Sequence, residues 1–180
     1  MFFCHLSYGQ LDTTFSTTDK KLFGKIQSLK KEKIDTIVCF YITCNGSPVE
    51  LPDTCNVYDI KYLLWNERNV THIQRFDECR NYQSLIIENP VLSLIKKKYL
   101  NIRKSRLKSY VKSDHFCSEK IEIYTANKLL KTYVDLPDLD KYWYQKKLNI
   151  YYKYNRHSIL NTLRTELEQA VKVYEKRYKK

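Results

Sequence analysis

DTIVCFYIT, residues 35–43, is apolar at six consecutive positions and follows neither the helical period nor a polar–apolar alternation. A strand reads this way when both of its faces are covered. Upstream, Ser16-Thr17-Thr18 supplies helix N-cap residues. Leu22, Phe23, Ile26 and Leu29 then recur on one face of a helix. Downstream, Cys44-Asn45-Gly46-Ser47-Pro48 reads as a turn. Beyond it the pattern predicts a helix over Val57–Asn66, a strand over Val70–Phe76 and a helix over Asp77–Glu88, with an initial strand over Phe2–Tyr8. Alternating strands and helices of this length predict a small layered α/β part spanning residues 1–89.

Asn89-Pro90 marks the next boundary, since Asn caps helices and Pro suits their first turn. A helix is expected from there to about Lys112, with Leu92, Ile95, Tyr99, Leu100, Ile102, Leu107, Tyr110 and Val111 on its apolar side. Lys97, Lys98, Lys104, Lys108 and Lys112 take the opposite side. A strand follows over Glu119–Thr125, then helices over about Asp135–Tyr154 and from His157 or Ser158 to the end. The last carries the stripe Leu160, Leu163, Leu167, Val171, Tyr174 and Tyr178. The expected class is α+β, with residues 90–180 a mostly helical, strongly basic part, or the two parts one continuous domain.

Charge divides the chain at the same place. Of 180 residues, 32 are Lys or Arg and 20 are Asp or Glu, a net charge of +12. Residues 1–90 hold 10 cations against 11 anions, and residues 91–180 hold 22 against 9, so the second half carries the excess. Such asymmetry points to a polyanionic partner. Within KKKYLNIRKSRLKSYVK, residues 96–112, eight of seventeen positions are cationic and none is acidic. The second basic stretch, 141–157, interleaves Lys146, Lys147, Lys153 and Arg156 with six aromatics between 142 and 154. Tyr151 and Tyr152 are placed to stack on unpaired bases, whereas Trp143, Ile150 and Tyr154 are expected to face a core with Leu139. The candidate RNA-binding set is Lys97, Lys98, Arg103, Lys104, Arg106, Lys108, Lys112, Lys146, Lys147, Tyr151, Tyr152, Lys153 and Arg156. Arginines grip phosphate bidentately and lysines act as point charges.

Other chemistry is thinly represented. Three glycines leave no room for a Gly-rich phosphate loop. Cys39-x4-Cys44-x10-Cys55, with His72 and Cys79 beyond, matches no common zinc spacing. Asp135, Asp138 and Asp140 read as helix-start carboxylates, with a metal-dependent nuclease using Asp138 and Asp140 as the alternative. No catalytic residue, cofactor, metal, small-molecule substrate, membrane contact or obligate homo-oligomer is expected. The start, Met1-Phe2-Phe3-Cys4-His5, lacks the basic and apolar regions of a signal peptide, so the six cysteines are expected to be reduced, mostly buried thiols in a cytoplasm.

Gly, Pro and Ala are scarce while Lys, Tyr, Ile, Asn and Leu are abundant, an economy typical of AT-rich coding. In this economy and in its basic second half the chain resembles small basic proteins of compact genomes, including microsporidian ribosome-bound dormancy factors. The resemblance implies a non-enzymatic protein that binds rRNA and ribosomal proteins and inhibits translation during dormancy. It transfers no site residue. A structural or interaction protein, viral in origin, docking on an acidic partner is the alternative from another class.

Overall fold

The computed structural model describes residues 16–44, 60–109, 117–126, 128–142 and 146–178. A six-stranded sheet forms the centre: β1 (Thr36–Cys44), β2 (Lys61–Glu67), β3 (Val70–Phe76), β4 (Leu85–Ile87), β5 (Cys117–Thr125) and β6 (Leu129–Asp135). The spatial order is β4-β3-β2-β1-β5-β6, and every neighbouring pair is antiparallel. The class is α+β, as expected. The division of charge at residue 90 is not a division of the sheet, because β5 and β6 extend from β1 the sheet that β1–β4 begin.

The apolar run at 36–44 becomes an interior strand with helices on both sides. Ile37 and Cys39 pack with Leu22, Ile26 and Leu29 of α1 (Thr17–Lys31). Val38 and Phe40 face the other way, toward Val91, Leu92, Ile95 and Ile102 of α2 (Val91–Lys104). On that second side lie also Leu160, Leu163, Leu167, Ala170 and Tyr174 of the C-terminal helix α4 (Ile159–Tyr178). Ser16 caps α1, its hydroxyl accepting from the Asp19 amide at 3.1 Å. Lys33, at φ 61°, ends the turn after α1 in the left-handed region. Phe23, expected on the buried face, is exposed. Pro90, not Asn89, takes the N-cap position of α2; Asn89 before it accepts from the Val91 amide at 2.8 Å, and its amide donates to the Glu166 carbonyl of α4.

Three predicted helices are corrected. Residues 61–67 form strand β2, because Leu63, Leu64 and Trp65 are buried in succession on both faces of the sheet. Residues 77–88 form a turn and β4. There the Asp77 carboxylate accepts from the amides of Cys79 and Arg80, a local bond that competes with helix. The segment 135–154 is a 3₁₀ turn (Leu136–Leu139), a Tyr142–Leu148 antiparallel bridge and only then α3 (Tyr152–Arg156). The helix expected to reach Lys112 stops at Lys104, where Ser105 turns extended and Arg106 donates to the carbonyls of Arg103 and Ser105. Strand β6 has no counterpart in the sequence reading. The expected strand at 2–8 and turn at 44–48 fall, wholly and largely, outside the described residues.

Two polar knots hold the layers in register. Arg75 lies 2.8 Å from Asp77 and 3.1 Å from Glu175, and the Tyr62 hydroxyl donates to Glu175 at 2.8 Å. Burial pushes the Asp77 carboxyl up, but the Arg80 amide, Tyr82 and Arg75 together hold it below its ordinary value. Beneath α4, Arg164 Nε sits 2.7 Å from Glu119 Oε2 of β5, off the hydrogen-bonding direction, so the contact is an ion pair without an aligned bond. Arg164 also donates to Glu168 at 2.8 Å.

The cysteine expectation holds in part. Cys39 is a buried, reduced thiol, but Cys79 and Cys117 are each disulfide-bonded. Reduction is expected to lower the unfolding free energy by about 2–4 kcal/mol, read as a lower urea midpoint with dithiothreitol. Six reactive thiols in the denatured, unreduced protein would contradict the disulfides.

Candidate polyanion-binding face

The two basic stretches meet through an asparagine. Asn155 is fully buried in α3. Its amide nitrogen donates to the Lys108 carbonyl at 2.8 Å and to the Asp138 carbonyl at 2.9 Å, and its oxygen accepts from the Lys108 amide at 2.9 Å. The extended segment after α2 is thereby tied to α3 and to the 3₁₀ turn. Asn149 makes the parallel tie, donating to the carbonyls of Asp138 and Asp140 and accepting from the Tyr151 amide. Asn side chains satisfy backbone groups in this way where no ladder does.

This clamp sets Lys108 against the aromatics of the second stretch. Its ammonium lies 4.4 Å from the Tyr154 ring centroid and 5.6 Å from that of Tyr151. Lys153 and Arg156 are exposed on the same short helix, and Lys104 and Arg106 precede Lys108 along the chain. These residues are what the fold brings together. Lys97 and Lys98 project from α2 further back, and Lys146 and Lys147 lie between the bridged residues Tyr142 and Leu148. Lys112 lies outside the described residues.

All ten described candidate cations (Lys97, Lys98, Arg103, Lys104, Arg106, Lys108, Lys146, Lys147, Lys153 and Arg156) are exposed. None has a carboxylate partner among the described residues. The ion pairs there engage Lys61, His72, Arg75, Lys131 and Arg164 instead. The charge is therefore presented to solvent. Arg106 is partly committed, because its guanidinium closes the end of α2.

Three side chains expected on an apolar side are exposed instead. Tyr154 and Ile150, expected in a core with Leu139, are 50% and 64% exposed, while Leu139 is buried. The cause is that 141–154 is not one helix, so a helical wheel misplaces its side chains. Tyr151 and Tyr152 are half-buried. Leu100, placed on the apolar side of α2, is 63% exposed among the lysines. Asn149, Asn155 and Tyr154 were not foreseen as parts of this face; two Asn inside an aromatic-rich segment were the available signal.

Asp138 is buried, its carboxyl pushed up by burial against the pull of a Ser109 hydrogen bond, while Asp140 is exposed. Among the described residues no three His, Cys, Asp or Glu side chains are grouped as metal ligands. No helix among them is long and apolar enough to cross a membrane. No family model, curated protein or solved structure matches this chain.

Proposed function

We propose that the chain is a non-enzymatic RNA-binding protein that lays the face built by α2, the 105–108 segment and α3 along the phosphates of a folded RNA, such as rRNA in a ribonucleoprotein. One observation carries the reading: ten exposed cations have no carboxylate partner among the described residues, and one of them, Lys108, is held against Tyr151 and Tyr154 by the Asn155 clamp. Lys and Arg displace condensed counterions from phosphate, which gives affinity without sequence choice. Tyr151 and Tyr154 beside Lys108 add faces on which an unpaired base stacks.

The test is an affinity comparison on a structured RNA and on purified ribosomes at about 0.1 M salt. Lys104→Gln, Lys108→Gln, Lys153→Gln and Arg156→Gln combined are expected to weaken binding roughly 10- to 100-fold. Lys20→Gln with Lys31→Gln, on α1 across the sheet, should leave it nearly unchanged. Equal losses from both sets would remove the assignment of the face.

A second reading is favoured by the disulfides at Cys79 and Cys117, since disulfides persist in oxidising compartments. There the polyanion meeting the same face is a sulfated polysaccharide. Tighter, salt-sensitive binding to heparin than to RNA by the same protein selects that reading.

A further inference from the structure

On the opposite side of the sheet, the register builds a row of alternating cations and tyrosines. Lys61 of β2 pairs with Tyr41 of β1, Tyr41 with Lys120 of β5, and Lys120 with Tyr133 of β6. Residues directly opposite in register share a face, so all four project to the side that carries α1. The lysines lie over the rings: Lys61 at 5.3 Å and Lys120 at 5.7 Å from Tyr41, and Lys120 at 5.6 Å from Tyr133. Two rows along, Lys30 of α1 lies 5.3 Å from the Tyr124 ring.

The helix α1 packs on β1–β3, and the outer part of this face stays open. Tyr133 is 51% exposed and Leu129 47%. Lys61 and Lys131 are engaged with Asp19 and Glu122. Lys30 and Lys120 have no carboxylate partner among the described residues, so the face retains unpaired positive charge. Cation–π contact holds Lys120 between two rings without neutralising it.

We infer that this row is a second binding site, for single-stranded nucleic acid, in which Lys120 takes a backbone phosphate and Tyr133, with Tyr41 beyond it, stacks unpaired bases. The ring positions of Tyr41 and Tyr133 are two strands apart, about 10 Å, which suits successive elements of an extended strand and not a rigid duplex. Aromatic rings accept any base, and a flanking cation tracks the backbone, so the site is sequence-tolerant. It stands on residues separate from the α2–α3 face.

The experiment is fluorescence anisotropy with a labelled oligouridylate of about eight nucleotides, within the ~4–16-nucleotide range of such grooves. The wild type is expected to bind it at low salt. Tyr133→Leu should weaken binding roughly 5- to 100-fold, and Tyr133→Phe should restore it, because the ring and not the hydroxyl is used. Thermal melts of both variants confirm that the half-exposed position leaves the fold intact. Because the α2–α3 face also offers cations to a single strand, the comparison is repeated in the protein carrying the Gln set at Lys104, Lys108, Lys153 and Arg156, where Tyr133→Leu should weaken the remaining oligouridylate binding by a similar factor. Unchanged binding in Tyr133→Leu, no binding by the wild type, or loss only in the Gln set would each overturn the site. Loss in Tyr133→Leu together with no structured-RNA binding would sink the reading of the α2–α3 face and leave this one standing.

Discussion

Asn155→Ala is expected to lower the unfolding free energy by about 2–5 kcal/mol. The side chain is fully buried and makes three hydrogen bonds to backbone, two of them to the amide and carbonyl of Lys108. Truncation deletes donor and acceptor together and leaves backbone groups of Lys108 unpaired at a partly buried place, each costing about 1–3 kcal/mol. The Asp138 carbonyl loses less, since Asn149 also donates to it at 3.0 Å. A domain with a net stability of only about 5–15 kcal/mol registers such a loss as a clear drop in the urea midpoint. The same change frees the 105–108 segment from α3, so structured-RNA affinity should fall even where the variant remains folded. A shift of less than about 0.5 kcal/mol would mean that the clamp does not organise this face.

The second large effect is at Arg164. Glu119 is 1% exposed, and burial pushes its carboxyl from 4.5 to about 7 despite the opposing pull of Arg164, with Glu168 adding to the rise. A folded-state value above the unfolded one means that the folded protein holds the extra proton between the two. The stabilising contribution is therefore complete below about pH 4.5 and is lost as pH rises through about 7. Between pH 5 and pH 8 the wild type is expected to lose up to about 3 kcal/mol from this group, and Glu119→Gln should flatten that slope. Arg164→Leu leaves a buried carboxylate without its cation, a change that typically costs about 3–5 kcal/mol. The cost should be largest at pH 8, where Glu119 needs its partner, and smaller near pH 5, where the carboxyl is protonated in both proteins. Equal destabilisation at the two pH values would show that Arg164 contributes packing alone.

How much of this was legible in the sequence depended on whether one element or several set the pattern. The strand at 36–44, α1, α2 and α4 each carry a pattern that their own contacts explain, and all four form where the pattern puts them, although α2 ends at Lys104 instead of near Lys112. β2 was misread because an interior strand of an antiparallel sheet buries both faces, and Tyr62-Leu63-Leu64-Trp65 then looks like a helix segment. The turns at 77–83 and 136–150 were misread because Asp77, Asn149 and Asn155 bond to backbone, a choice that depends on neighbours distant in sequence. The ten described candidate cations are exposed, but the meeting of Lys108 with Tyr151 and Tyr154 follows from a 47-residue contact through Asn155 that no local pattern displays. The Tyr41–Lys120–Tyr133 row needs the register of three strands, one of which, β6, had no signal strong enough to be named.

These parts converge on one physical claim: unpaired cations on α2, the following segment and α3 act together on a polyphosphate. Affinity of the intact chain for a structured RNA, measured from about 0.05 to 0.5 M monovalent salt, tests it most directly. Engagement of about six of the exposed cations predicts a log–log slope of roughly −4 to −5, reduced by about 0.7–0.9 for each contact removed by a Gln substitution. A slope near zero, or one that the substitutions at Lys104, Lys108, Lys153 and Arg156 leave unchanged, would contradict it.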